Sequence, residues 1–180
     1  EPTELDRWIL SEYNRLIGEV TTNLDQYDVG KSASAILSFL DELTNWYIRR
    51  SRRRFWKSES DTDKAAAYAT LYEVLDGVVR LLAPYLPFIT EHIYQNLVRN
   101  LNPSAADSVH LTSYPVADES KRDRELEKEM ARVQTAVSLA RALREERRLK
   151  VRQPLQKLTW VVPEAGAAEE LAPYLQIVSE

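Results

Sequence analysis

The 180-residue chain has no cysteine, two histidines and four glycines, and no apolar run approaches the length of a membrane span. Without cysteine there can be no disulfide, thiolate metal site or cysteine nucleophile, and the chain suits a reducing compartment. His92 and His110 stand far apart, and neither has a partner at a metal-ligand spacing such as H-E-x-x-H. No glycine sits in a phosphate-cradling loop, and no serine occupies a nucleophile elbow. The carboxylates from Asp118 to Glu129 alternate with lysine and arginine, which reads as a solvated helix face with i,i+4 pairs. No catalytic residue and no metal ligand is expected here. No signal-peptide pattern opens the chain. It starts Glu1-Pro2-Thr3 and stops in the apolar-containing run Gln176 to Glu180, so a piece of a larger protein is expected.

What is present is a local concentration of positive charge. The net charge is −4, yet six of the nine positions from Arg49 to Lys57 are basic: Arg49, Arg50, Arg52, Arg53, Arg54 and Lys57. A cationic cluster on an acidic chain faces something strongly anionic, and nucleic-acid phosphate is the commonest case. Trp56 lies inside the cluster and Trp46 just before it. Arginine supplies phosphate contacts and planar stacking, and an indole can hold an unpaired base. Folded RNA is therefore the first expected ligand.

Helical periodicity dominates the rest. Leu5, Trp8, Ile9, Tyr13, Leu16, Ile17, Val20 and Leu24 recur at helical spacing behind Thr3, a residue suited to cap them. Asp28 can cap a second helix to about Lys57, with Ala33, Ile36, Leu37, Leu40, Leu43, Thr44, Tyr47, Ile48, Ser51 and Phe55 on its inner side. The basic cluster then decorates the outer face of its last turns. A third helix starts at Asp61 or Thr62 and breaks at Pro84 and Pro87, because proline lacks a backbone donor and clashes with the preceding turn. A fourth runs from about Phe88 to Arg99, and His110 to Pro115 reads as extended chain.

Lys121 to about Leu149 reads as a long helix with Leu126, Met130, Val133, Val137 and Ala140 on one stripe, continued by Arg141, Arg144 and Arg148. Pro154 stops it. Leu158 to Val162 has the pattern of a strand and Ala167 to Leu175 that of a short helix. The expected fold is mainly α: an antiparallel helix bundle over 1–152 and the start of a small α+β appendage over 153–180. Trp8 and Trp160 are expected in the core, and His110 as an anchor for its extended segment.

The string Asn45-Trp46-Tyr47-Ile48-Arg49-Arg50-Ser51-Arg52-Arg53-Arg54-Phe55-Trp56 resembles the anticodon-binding region of the isoleucyl-tRNA synthetase family, and more closely its eukaryotic-like type. Leu5-Asp6-Arg7-Trp8-Ile9-Leu10 resembles the opening of that bundle, and Pro84 to Glu91 its kinked hairpin. Ser108-Val109-His110-Leu111 with Tyr114-Pro115 resembles an extended segment shared with the valyl and leucyl enzymes. Lys150-Val151-Arg152-Gln153-Pro154-Leu155 resembles the lead into the family's C-terminal α+β piece. The two ATP-handling signatures of class I synthetases and the editing domain are absent.

The resemblance implies the class I synthetase anticodon-binding fold and a parent enzyme that esterifies isoleucine to its tRNA with ATP. It implies no cofactor in this piece; ATP, with zinc as a second candidate, belongs to the parent. It also implies the anticodon arm of an isoleucine acceptor tRNA and the parent's remaining domains as partners, a monomer, no membrane and a cytoplasmic location. Arg49, Arg50, Arg53, Arg54 and Lys57 would meet phosphate, Arg52 would join them in the RNA-binding set, and Trp46 or Trp56 would meet a loop base. Arg141, Arg144, Arg148, Lys150 and Arg152 would form a second stripe. Against this stand pairing of some arginines with bundle carboxylates such as Asp41 and Glu42, and ordinary helix ion pairing in the second stripe. The rival functions are a helical protein-interaction module, a basic amphipathic membrane helix, and the equivalent domain of the valyl or leucyl enzyme.

Overall fold

The computed structural model describes residues 2–57, 61–150, 153–161 and 171–174. They fall into two compact units, residues 1–123 and 124–180. Among the described residues there is no β-strand.

The first unit begins with α1, Glu4–Asp25. Thr3 caps it as expected, in a reciprocal capping box with Asp6. Its far end closes in a Schellman turn: the Asp28 amide donates to the Asn23 carbonyl at 2.8 Å and the Tyr27 amide to the Leu24 carbonyl at 2.9 Å. The chain doubles back into α2, Val29–Glu42, whose first turn Asp28 caps through the Lys31 amide. Trp8, Ile9, Leu16, Ile17 and Val20 of α1 and Ile36 and Phe39 of α2 form the buried core of this region, and Tyr13 meets Phe39 with ring centroids 6.2 Å apart. Each such side chain stabilises the fold by about 1.5–3 kcal/mol relative to exposure.

Beyond α2 the rod does not stay α-helical. Leu43–Ile48 is a π-helical stretch, in which the Arg49 amide reaches back five residues to the Thr44 carbonyl. The buried residues explain it. From Phe39 they run Leu43, Tyr47, Ser51, Phe55, always four apart. Steps of four drift by about 40° each around an α-helix, which would carry the row into solvent. A wider turn returns it to the core. Uniform α-periodicity therefore misplaces this face. Leu37 is 67% exposed and Thr44 is exposed, whereas Phe39, missing from the expected row, is 2% exposed.

After a turn at Ser51 comes α3, Arg52–Lys57, and then α4, Asp61–Leu82. Phe55 inserts between Tyr47 and Tyr68, at 6.4 and 5.2 Å between ring centroids. The prolines act as expected. Ala83 to Leu86 forms a tight link, and Pro87 opens α5, Pro87–Tyr94, which passes into a second π-helical stretch, Gln95–Arg99. Val79, Ala83, Tyr94, Val98 and Val109 make a smaller core there. Glu91 accepts from the Ser108 hydroxyl at 2.8 Å and the Val109 amide at 3.0 Å, pinning the following segment to α5. Val109–Leu111 is a 3-10 turn and the chain extends only from Thr112. His110 lies 3.3 Å from the Pro87 carbonyl, consistent with an anchoring role, and Trp8 is core.

The second unit contains α6, Arg124–Glu146, with Leu126, Met130, Val133, Ala136 and Val137 buried. It stops before Leu149 in another Schellman turn, with Arg148 at φ 53° and the Leu149 amide donating to the Arg144 carbonyl at 2.8 Å. Residues 153–161 follow without regular structure, so the strand expected from Leu158 is absent over its described part. No neighbouring strand is present among the described residues to take up its backbone groups. Trp160 is half-buried. Of the helix expected over 167–175, the described part is a 3-10 turn, Ala172–Tyr174, whose Tyr174 hydroxyl donates to Glu129 at 2.7 Å; its remainder and Val162 lie outside the described residues.

Candidate nucleic-acid interface

The π stretch and α3 together present the basic cluster. Tyr47, Ser51 and Phe55 are buried, and Arg49, Arg52 and Arg53 between them lie at the surface. Arg49, Arg52 and Arg53 are exposed, and Arg49 and Arg53 make no hydrogen bond or ion pair with any described residue. Lys57 closes α3; its side chain, like Arg152, lies outside the described residues.

Each tryptophan is paired with an arginine. The Arg50 guanidinium lies 4.8 Å from the ring centroid of half-buried Trp46, and that of Arg52 lies 5.8 Å from Trp56. A guanidinium over an indole is held there by cation–π attraction. Trp56 is 68% exposed and is anchored at its base by buried Phe55, edge-on at 85°. Charge and an accessible aromatic surface thus sit on one short ridge, as single-stranded or looped RNA requires.

Arg54 is the exception, and it corrects the expected site. Its side chain is only 15% exposed and turns into the protein. Nη1 and Nη2 each donate to Asp6 at 2.8 Å, and Nε donates to Asp63 at 2.9 Å. Asp6, fully buried, also receives the Tyr47 hydroxyl at 2.7 Å and the Thr3 amide and hydroxyl at 2.8 Å each. Burial pushes the Asp6 carboxyl up, but the hydrogen bonds from Arg54, Tyr47 and Thr3 outweigh it and hold its pKa below the ordinary value. Arg54 is therefore no phosphate ligand. Asp41 and Glu42 are not the cluster's internal partners either: Asp41 accepts from Asn45 at 2.6 Å, and Glu42 sits by Glu12 and Arg15.

In the second unit, the described residues of the expected second stripe do not all lie on one helical face. Arg141 and Lys150 are exposed, while Arg144 is half-buried and its Nη1 donates to the carbonyls of Lys150 at 3.1 Å and Gln153 at 2.9 Å. Arg148 lies past the end of α6 in left-handed backbone, off the helical stripe that spacing assigned to it. Arg144 shapes the helix exit, and among the described arginines of this stripe Arg141 is the one exposed on α6.

Two residues escaped the sequence reading. Asp6 signals itself only as a capping residue, and Asp63 only as a first-turn acid of α4; their joint grip on Arg54 spans 48 and 9 positions of sequence. Among the described residues no cluster of acids and histidines could hold a metal ion, and no helix is long and apolar enough to cross a membrane.

The family model described as the anticodon-binding domain of tRNA ligase matches residues 6–159. An isoleucine–tRNA ligase of Dehalococcoides mccartyi is 51% identical over 166 residues, 92% of this chain and 16% of the relative. The Treponema pallidum ligase is 54% identical over 157 residues, covering 86% of this chain and 14% of its own length. That of Chlamydia muridarum is 45% identical over 179 residues, covering 99% of this chain and 17% of the relative. The chain thus spans about one-sixth of the length of these curated relatives.

Proposed function

The chain belongs to the family of anticodon-binding domains of tRNA ligases, and from that membership we propose that it holds the anticodon arm of an isoleucine-accepting tRNA. The parent would be a longer isoleucine–tRNA ligase whose ATP-dependent activation and transfer take place in other domains; any zinc would also belong there. Those domains are its covalent partners, and the parent works as a monomer in the cytoplasm. The observation that carries the reading is the outward ridge of Arg49, Arg52 and Arg53 with exposed Trp56.

In this mechanism the arginines neutralise backbone phosphates of the stem and fix its register, without reading sequence. Trp56, or Trp46 with its Arg50 lid, stacks on an unpaired loop base and supplies about 1–3 kcal/mol. Arg141 and Lys150 are available for a second stretch of backbone. No acid–base or nucleophilic step is assigned to any residue of this chain.

Footprinting of isoleucine tRNA by the 180-residue chain tests the proposal. Protection confined to the anticodon arm supports it. Absence of protection, or equal protection of unrelated RNAs, defeats it in favour of a helical module that docks acidic partners.

A further inference from the structure

A six-residue helix such as α3 is too short to hold its own direction in water. Two things fix it here. Phe55 fills the gap between Tyr47 and Tyr68, and Arg54 binds both Asp6 in the first turn of α1 and Asp63 in the first turn of α4. Arg54 therefore joins three helices at one point. The residues on either side of it, Arg53 and Phe55, point in opposite directions, outward and inward. Rotation of α3 about its axis pulls against the bidentate Asp6 contact and the seat of Phe55.

We propose that Arg54 is a positioning residue for RNA binding: clamped between Asp6 and Asp63, it sets the roll of α3 so that Arg52, Arg53 and Trp56 meet the ligand together. The inference rests on the anticodon-arm reading above. It makes a prediction whose sign is opposite to simple electrostatics. Replacing a carboxylate with an amide makes the chain less negative and should strengthen binding to a polyanion. If the clamp aligns the ridge, Asp63→Asn and Asp6→Asn weaken binding instead, though every arginine and lysine remains.

The experiment measures affinity of the 180-residue chain for an isoleucine anticodon stem-loop RNA across a salt series, for Asp63→Asn, Asp6→Asn and Arg53→Glu. All variants are assayed at temperatures where circular dichroism shows them folded. The clamp variants are expected to lose affinity about tenfold, which is about 1.4 kcal/mol. Their plots of log K against log salt should flatten by about one unit, although no cation has been removed. A purely structural role would lower melting temperature and leave that slope unchanged in the folded protein. Asp63 is the more exposed of the two acids, at 32%, so Asp63→Asn decides the matter if Asp6→Asn does not fold. Unchanged or tighter binding by Asp63→Asn, or an unchanged slope, overturns the proposal. Arg53→Glu separates the two levels: if it too binds normally, the RNA reading fails; if it loses binding while Asp63→Asn does not, only the clamp fails.

Discussion

Gly77 of α4 and Tyr13 of α1 occupy adjoining space so closely that a Cβ on Gly77 would lie 1.6 Å from the Tyr13 hydroxyl oxygen and 2.2 Å from Cζ. The absence of a side chain at position 77 is what lets the ring pass. In an open helix Gly→Ala gains about 1 kcal/mol. Here Gly77→Ala should cost about 1–3 kcal/mol through overpacking. Chemical denaturation checks it. The double variant Gly77→Ala with Tyr13→Ala should be more stable than the sum of the single changes, because removing the ring removes the clash.

Glu42 carries a stability penalty that depends on pH. Burial raises its carboxyl from the ordinary 4.5 to about 7, neighbouring Glu12 and Asp41 add to the rise, and Arg15 partly offsets it. Its Oε2 is buried without a hydrogen-bond partner. The folded pKa lies above the unfolded one, so this group's contribution to stability is intact below about pH 4.5 and is lost as pH rises through 7. Glu42→Gln should therefore stabilise the chain by up to about 3 kcal/mol at pH 8 and hardly at all at pH 4. Melting curves at the two pH values give the answer; equal effects at both would contradict the assignment.

Tyr27 adopts left-handed backbone at φ 59° while 92% of its surface is in water. Its conformation is dictated by the Schellman turn, and its ring returns little packing for the strain. Tyr27→Gly should raise stability by about 0.5–1 kcal/mol, the relief of a left-handed residue less the entropy cost of glycine. A fall in melting temperature would mean that the ring makes an interaction worth more than the strain.

Trp56 should separate stacking from charge. Trp56→Ala is expected to weaken stem-loop binding by about 1–3 kcal/mol with little change in salt slope. Arg49→Glu with Arg53→Glu should instead flatten the slope by about two units. Both pairs of outcomes come from the same titration series, and matching slopes for the two variants would refute the division of labour.

The caps and breaks of this fold were legible because each depends on residues within one turn: Thr3 and Asp28 before their helices, Pro84 and Pro87 between theirs. Trp8 was legible as core from spacing. What could not be read was set by long-range geometry. A period of 3.6 carried through the π stretch put Leu37 inside and left Phe39 out. The row of identical four-residue steps was a signal for a wider turn that averaging over the whole helix conceals. Arg54 looks like its neighbours in sequence; only the arrival of Asp6 and Asp63 from other helices sets it apart. Spacing puts Arg148 on the stripe because nothing local announces a Schellman turn at an arginine.

Which way the end of this rod faces depends sharply on how the chain winds between Leu43 and Ile48. If the stretch from Leu43 to Ile48 closed up as ordinary α-helix with every residue kept, everything after it would swing by about 100°. The arginines would face the interior and Phe55 would face water, with not one of those side chains changed. Variation in loops elsewhere can be absorbed at the surface, but here the winding of six residues decides which side of the rod is cationic.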